Sequence, residues 1–318
     1  MRVEPFFRTT ALAGLVSVTL VAASSGAWAT YPGGNGDIGY ATLGRSLAVR
    51  GIGPDGTDDH KISIGRADAG DLEFFSDGSA AVVVEYPGRG SRLVHYDLAS
   101  TTRTVILPAT EAPRGSIFSV GVAPDDSAVI FCTLQSRGWR LYTVDMDGTG
   151  LTRISRGTDD CHADWGVNGR IAATEELTSR ARRVFTMLPD GSDRQTVVRF
   201  PPPKRGWVIE YCVVPSWSPD ASHLAFGAQR NDQNPDVWSI AADGTALTNV
   251  TGTKRRDEYG PVFSPDESLI AFTREQVSRR FYAPGDLWRM DTAGEDPVRL
   301  TDTRRRDEYS RSWQALTP

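Results

Sequence analysis

The sequence predicts an all-β fold, a six-bladed β-propeller of four-stranded antiparallel blades closed by pairing the C-terminal strand with the mature N-terminal strands. Three observations carry this expectation. The stretches "TKRRDEYGPVFSPD" from Thr253 and "TRRRDEYSRSWQAL" from Thr303 keep their charges, their Tyr and the following aromatic in register, and such a fixed period marks a repeat architecture. Within each period short runs alternate apolar and polar residues between turn signals, which is a strand pattern. The last copy, around Trp313, has nothing downstream with which to pair.

Residues 1–29 read as a signal peptide. Arg2 and Arg8 flank a cationic start, an apolar run follows from Ala11 to Ala23, and Ala27-Trp28-Ala29 ends in a small-x-small cleavage pattern. That run is shorter than the ~20 residues a membrane helix needs. Cleavage after Ala29 is therefore expected, with a secreted, periplasmic or cell-envelope protein as the result. No cysteine near the cleavage site offers a lipid attachment point, and no later stretch is apolar enough to span a membrane.

Residues 30–318 are expected to form a single propeller. "GDIGYA" from Gly36 reads as the second strand of a blade, "LAVRGIGPDG" from Leu47 as its third and "DDHKIS" from Asp58 as its fourth. Its first strand is missing there and is supplied by the segment around Trp313. The other five blades open near Phe74, Val122, Trp165, Trp217 and Phe263. "VAPDDSAVIF", "WSPDASHLAF" and "FSPDESLIAF" share one hairpin frame, with "WGVNGRIAA" and "FFSDGSAAVVV" as looser copies. Pro-Asp, Asn-Gly and Asp-Gly suit the dihedrals of tight turns. Third strands end at Gly148, Gly191, Gly244 and Gly294, and short fourth strands such as "LTRIS", "ALTNVT" and "PVRLT" follow. Closing the ring removes unpaired strand edges, which gives the split blade a physical reason.

The segments "PSWSPDASHLAF…DVWSIAADGTALTNVT" and "GPVFSPDESLIAF…DLWRMDTAG…VRLT" resemble the WD-like propeller repeats of the TolB type. "YPGGNGDIGYA" also resembles the entry of exported TolB-like propellers. The resemblance covers nearly the whole mature chain and is strongest in the last three blades. It implies a non-catalytic protein-binding platform, as in TolB, which docks in the periplasm to a peptidoglycan-associated lipoprotein. TolB carries an α/β domain before its propeller. Here the propeller pattern starts a few residues after the expected cleavage site, so roles needing that domain are not implied. Similar propellers flank prolyl oligopeptidase-type catalytic domains, and no such domain is legible here.

A formal net charge of −5 argues against general affinity for nucleic acid. The blade-opening aromatics Trp165, Trp217, Phe263 and Trp313, like Tyr142, Phe185, Trp238 and Trp288, occupy fixed repeat positions and read as core rather than as a sugar-stacking set. "DMDGTG" from Asp145 lacks the further ligands of a calcium loop and reads as a turn.

The segments entering the first strands place basic residues before acidic ones. Arg255, Arg256, Asp257, Glu258, Arg305, Arg306, Asp307 and Glu308 are the candidate binding set, gathered on one face around the central channel. They read either as inter-blade ion pairs or as a charged rim facing a partner. Asp160, His162 and Asp164 are weak candidates for a metal, because Asp159 and Asp160 fall in register with Asp257 and Glu258. A Cys161–Cys212 disulfide is expected, with Cys132 as a buried thiol.

The sequence holds no nucleophile elbow and calls for no cofactor. It points to an exported, monomeric, non-enzymatic scaffold whose partner is a protein or cell-envelope component. The other reading is an extracellular carbohydrate-active hydrolase or metal-dependent lyase, with Asp160, His162, Asp257 and Asp307 at the channel.

Overall fold

The computed structural model describes residues 31–317 apart from 45, 64, 156–158, 178–180, 202–213, 230–233, 277–283 and 304–305. Residues 1–30, where the expected signal peptide lies, are outside this set.

The repeated Pro-Asp frame makes its hairpin through the Asp side chain. Asp125, Asp220 and Asp266 accept hydrogen bonds from the backbone N–H of Ser127, Ser222 and Ser268 at 3.1, 2.9 and 3.0 Å. Each turn passes the chain from an inner strand to the second strand of its blade.

Among the described residues the outcome is 24 strands and no helix. The chain opens with β1 (Gly34–Leu43), β2 (Leu47–Ile52) and β3 (His60–Lys61). Blade 1 follows as β4 (Asp68–Phe74), β5 (Ala80–Tyr86), β6 (Arg92–Asp97) and β7 (Arg103–Leu107). Blade 2 is β8 (Ile117–Val122), β9 (Ala128–Gln135), β10 (Gly138–Asp145) and β11 (Thr152–Arg153). Blade 3 is β12 (Asp160–Trp165), β13 (Ile171–Glu176), β14 (Arg182–Met187) and β15 (Gln195–Phe200). Blade 4 is β16 (Ser216–Trp217), β17 (His223–Ala228), β18 (Asp236–Ala241) and β19 (Thr248–Asn249). Blade 5 is β20 (Arg256–Phe263), β21 (Leu269–Gln276), β22 (Asp286–Asp291) and β23 (Val298–Arg299), and β24 (Asp307–Leu316) ends the chain.

The sixth sheet has the order β24-β1-β2-β3, so both ends of the chain share one blade as expected. Its antiparallel register sets Trp313 opposite Ile38 and Tyr309 opposite Ala41. The Trp313 indole N–H also donates to the Gly36 carbonyl at 3.0 Å.

Core packing lies in the seams between blades. Phe74, Trp165, Trp217, Phe263 and Trp313 are buried there, as are Phe185 and Trp238, while Tyr142 and Trp288 are partly buried. Glycines at the third turn allow the close approach of neighbouring blades. A Cβ on Gly191 would sit 2.1 Å from the Ile154 carbonyl oxygen of blade 2, and one on Gly294 would sit 2.2 Å from that of Val250 in blade 4. Both adopt positive φ, so the turn and the seam demand the same residue.

The cysteine pairing differs from expectation. Cys161 bonds Cys132, with Cα atoms 5.3 Å apart, and Cys212 lies outside the described residues. Strand β12 packs across β8 and β9 of the preceding blade. The thiol facing Cys161 over that seam therefore belongs to a second strand, not to the entry loop of the following blade.

Candidate functional site

The duplicated Arg-Asp-Glu-Tyr segment distributes its four side chains over four tasks. Its Asp fastens the blade to the one before it. Asp307 Oδ1 accepts the Gly285 N–H at 3.1 Å, and in the same repeat position Asp159 accepts the Trp139 N–H at 3.1 Å and Asp68 the Leu47 N–H at 3.2 Å. Asp257 accepts from the Asn234 side-chain amide. Each of these donors lies at the approach to a third strand.

The Glu is turned inward. Glu258, with 0% exposure, pairs with Arg274 Nε at 2.7 Å and accepts from Thr253 Oγ1 at 3.1 Å. Glu308 accepts from Thr301 and, at 2.9 Å, from Thr303. In the equivalent place, Asp160 takes two bonds from Arg194 at 2.7 and 2.9 Å.

The acidic residues of the expected binding rim are thus hydrogen-bonded or paired within the protein, Glu258 and Glu308 buried and Asp257 and Asp307 half-buried. Arg255, Arg256 and Arg306 are exposed, and Arg305 lies outside the described residues. Asp160 accepts from Arg194, and Asp164 from the Trp165 and Trp217 N–H groups. Among the described residues no three His, Cys, Asp or Glu side chains are grouped to hold a metal.

The Tyr of each segment faces the channel. Tyr259 and Tyr309 have ring centroids 6.0 Å apart and line a cavity of about 380 Å³ together with Tyr86, Phe118 and Trp139. Phe118 and Trp139 meet edge to face at 5.2 Å, and Trp139 lies 6.4 Å from the His162 ring. The inner strands bulge at this level, between Phe118 and Val120, between Cys161 and Asp164, and between Tyr259 and Val262. Ser119 and His162 take positive φ of 48° and 51° at these bulges. Bulges of this kind re-aim side chains beside functional sites.

Asp71, Glu73, Asp164 and Arg311 also line the cavity, inside the aromatic group. Arg311 Nε stands 3.3 Å from Asp71 Oδ1, with its guanidinium 5.6 Å from the Tyr309 ring centre. Burial raises the Asp71 carboxyl, and Arg311 with the backbone N–H groups of Leu72, Ser119 and Val120 holds it partly down.

Asp164 is pushed up to about 7 by burial, against the opposing pull of the Trp217 and Trp165 N–H groups at 2.7 and 2.9 Å. Glu73 is raised well above the carboxylate range by burial first and by the Asp164 charge second, with the Ser312 hydroxyl at 2.7 Å opposing. Tyr31 is buried, and burial, Glu73 and Asp164 all raise its hydroxyl. The whole is an aromatic mouth over an acidic floor.

Of the residues singled out in the sequence, His162 and Asp164 line this cup; Asp160, Asp257, Asp307 and the other described residues of the charged rim set do not. Sequence reasoning passed over Tyr259 and Tyr309, although their exact register in the duplicated segment was the available signal. Asp71 and Glu73 sit in the looser copy near Phe74, where no motif marks them, and Trp139 comes just before the third-strand run "RLYTVDMDG".

No family profile matches the chain, and no curated protein matches it. Solved structures do. TolB from Acinetobacter baumannii superposes with a TM-score of 0.69 at 14% identity, over 88% of this chain and 67% of that one. A chain of a nidogen/laminin complex gives 0.66 at 11%, over 89% of this chain and 100% of that one. Oligogalacturonate lyase from Vibrio parahaemolyticus gives 0.56 at 13%, over 88% and 81%. The TolB-like propeller fold expected from the repeats is thus present, and the likeness is one of fold.

Proposed function

We propose that the protein is an exported, non-enzymatic binding propeller that receives a protein or cell-envelope partner at the aromatic mouth of its central channel. The observation that carries this reading is the fate of the duplicated segment. Its acids are engaged within the protein, while both of its tyrosines line a cup with Trp139 and Phe118. Aromatic side chains in a partly desolvated pocket are the typical anchors of an interface. The exposed Arg255, Arg256 and Arg306 contribute steering charge nearby rather than the anchor. Export rests on the signal-peptide pattern of residues 1–29.

A lyase acting on oligogalacturonate, as the Vibrio neighbour is named, is supported by the shared fold and by His162 beside an Asp164 that titrates near neutrality. The floor of Asp71, Glu73 and Asp164, with its one arginine already paired, opposes a polyanionic sugar. Binding is the better-supported reading.

Capture from an envelope extract on immobilised mature protein tests it. The Trp139→Ala/Tyr309→Ala variant is expected to retain at least about tenfold less of the specific partner, since each anchor contributes ~1–2 kcal/mol or more. Reversing Arg255, Arg256 and Arg306 to Glu is expected to alter salt dependence and association rate more than retention. Loss of capture in the arginine variant alone would move the docking surface outward to the rim.

A further inference from the structure

We infer that the mouth of the cup takes a partner segment in which a neutral aromatic or aliphatic side chain is flanked by Asp and Glu. This rests on the binding reading above and names the chemistry of the segment that enters. The apolar side chain fills the cup, and the flanking carboxylates meet a rim of arginines.

The rim follows from how charge divides between the two ends of the disc. In blade 5 the register sets Arg256 opposite Gln276 and Arg274 opposite Asp286, whereas Phe263 faces Ile270 and Leu269 faces Asp291 at the far end. The entries to the inner strands therefore meet the second-to-third connections at the mouth, and the hairpin turns gather at the opposite end. Turn chemistry fills that end with acids. Asp77, Asp125, Asp190, Asp220, Asp243 and Asp266 are exposed there, each accepting from the backbone two residues on. The formal charge of −5 thus hides two ends of opposite character.

At the mouth, Arg66, Arg89, Arg114, Arg137, Arg256 and Arg306 are exposed, and each lies a few residues from one that lines the cup. None of the six joins an ion pair among the described residues. Arg306 borders the cup directly, since a Cβ on Gly44, next to the lining residue Leu43, would lie 3.3 Å from its Cγ. Among the described residues the exposed acids at this end are Asp68, Glu111 and Asp302. Asp68 accepts the Leu47 N–H, and Asp302 pairs with Arg299. The rim is therefore basic and draws carboxylates toward the mouth.

The cup selects a different group. Leu43, Leu47, Phe118, Trp139, Val262 and Tyr309 make its wall apolar and aromatic, and Leu134, paired with Trp139, is exposed beside it. The acids of the floor oppose an anion inside, and the arginines of the rim oppose a cation on its way in. A neutral side chain meets neither penalty and gains from burial against the wall. A phosphate polymer carries the charge that suits the rim but no group that suits the cup. The volume of about 380 Å³ admits side chains rather than a folded element.

The test titrates the folded mature protein with acetyl-Asp-Glu-Phe-Glu-Asp-amide at low salt, followed by NMR shifts into the millimolar range. Parallel titrations replace the Phe by Ala, the four acids by Asn and Gln, or the four acids by Lys. Inorganic tripolyphosphate serves as a further probe. Loss of the Phe is expected to weaken binding at least about tenfold. Neutral flanks are expected to weaken it about three- to fivefold, a difference that vanishes at high salt. The variant Arg114→Gln/Arg137→Gln/Arg306→Gln is expected to bind the acidic peptide about threefold more weakly and the neutral analogue unchanged, a split that misfolding would not produce.

Neutral or lysine flanks binding as tightly as acidic ones would overturn the inference, as would an arginine variant with full affinity for the acidic peptide. So would an alanine analogue equal to the Phe peptide. Tripolyphosphate binding more tightly than the peptide would overturn it by assigning the rim to a phosphate polymer. Self-association that the arginine variant abolishes would overturn it by assigning the rim to the acidic end of a second copy. Any such failure, together with partner capture that still depends on Trp139 and Tyr309, leaves the binding reading intact. Capture indifferent to those aromatics sinks the binding reading itself.

Discussion

Replacing Trp313 with alanine is expected to destabilise the disc by about 4–6 kcal/mol, the largest effect of any single substitution considered. Trp313 is fully buried, and it packs with Ile38, Tyr40, Ile52, Val262 and Leu287 where the closing blade meets blade 5. Truncating a buried Trp typically costs ~3–5 kcal/mol through lost contacts and the cavity left behind. The Gly36 carbonyl also loses its indole donor, which adds about 1 kcal/mol. Against a net stability of ~5–15 kcal/mol, the loss removes about a quarter or more of what holds the native state.

The site matters as much as the size of the side chain. Trp313 lies on the last described strand, which pairs with the first, so weakening it loosens the one blade that, among the described residues, is built from distant segments. Urea denaturation of Trp313→Ala, with Trp313→Phe as the volume-sparing control, measures this effect. The phenylalanine variant is expected to retain most of the stability. A loss below about 1 kcal/mol in the alanine variant would mean that the clasp is not under load.

Glu258→Ala is expected to cost about 3–5 kcal/mol, for an electrostatic reason. It leaves Arg274, which lies 5.0 Å from the Phe272 ring centre and 4.5 Å from that of Trp288, without its carboxylate. Removing one member of a buried pair strands the other charge. Burial raises the Glu258 carboxyl and lowers the Arg274 guanidinium from their ordinary values, so desolvation works against the pair even while it is formed. The double variant Glu258→Met/Arg274→Leu is therefore expected to lie within about 1–2 kcal/mol of the wild type. Denaturation midpoints of the two single variants and the double variant check this cycle. A near-neutral Glu258→Ala would return that carboxylate to the solvent-facing rim that the sequence suggested.

These two residues show what was legible in the chain. Trp313 announced the closure because its copy of the repeat lacked downstream strands, while residues 36–63 lacked a first strand. Strand alternation and turn chemistry are local, so blade count and ring closure were readable. Glu258 announced a charge but not its direction. That direction is set by Arg274 on the neighbouring strand, whose guanidinium sits inside the seam. The Cys132–Cys161 bond was hidden for a related reason: it depends on the stagger between one blade's second strand and the next blade's first. The floor acids Asp71 and Glu73 belong to the most degenerate blade, where the repeat offers no register from which to notice them. Tyr259 and Tyr309 were visible as a pair, yet only the ring brings their faces 6.0 Å apart over one cup.

The most direct measurement places a photoreactive benzoylphenylalanine at Leu47, which lines the cup, and at Val298, which is exposed on an outermost strand, and compares their crosslinks to the captured partner. Crosslinking from position 47 and not from 298, suppressed by Trp139→Ala/Tyr309→Ala, is the predicted result. A crosslink from 298 with none from 47 would contradict the assignment of the channel mouth as the docking surface.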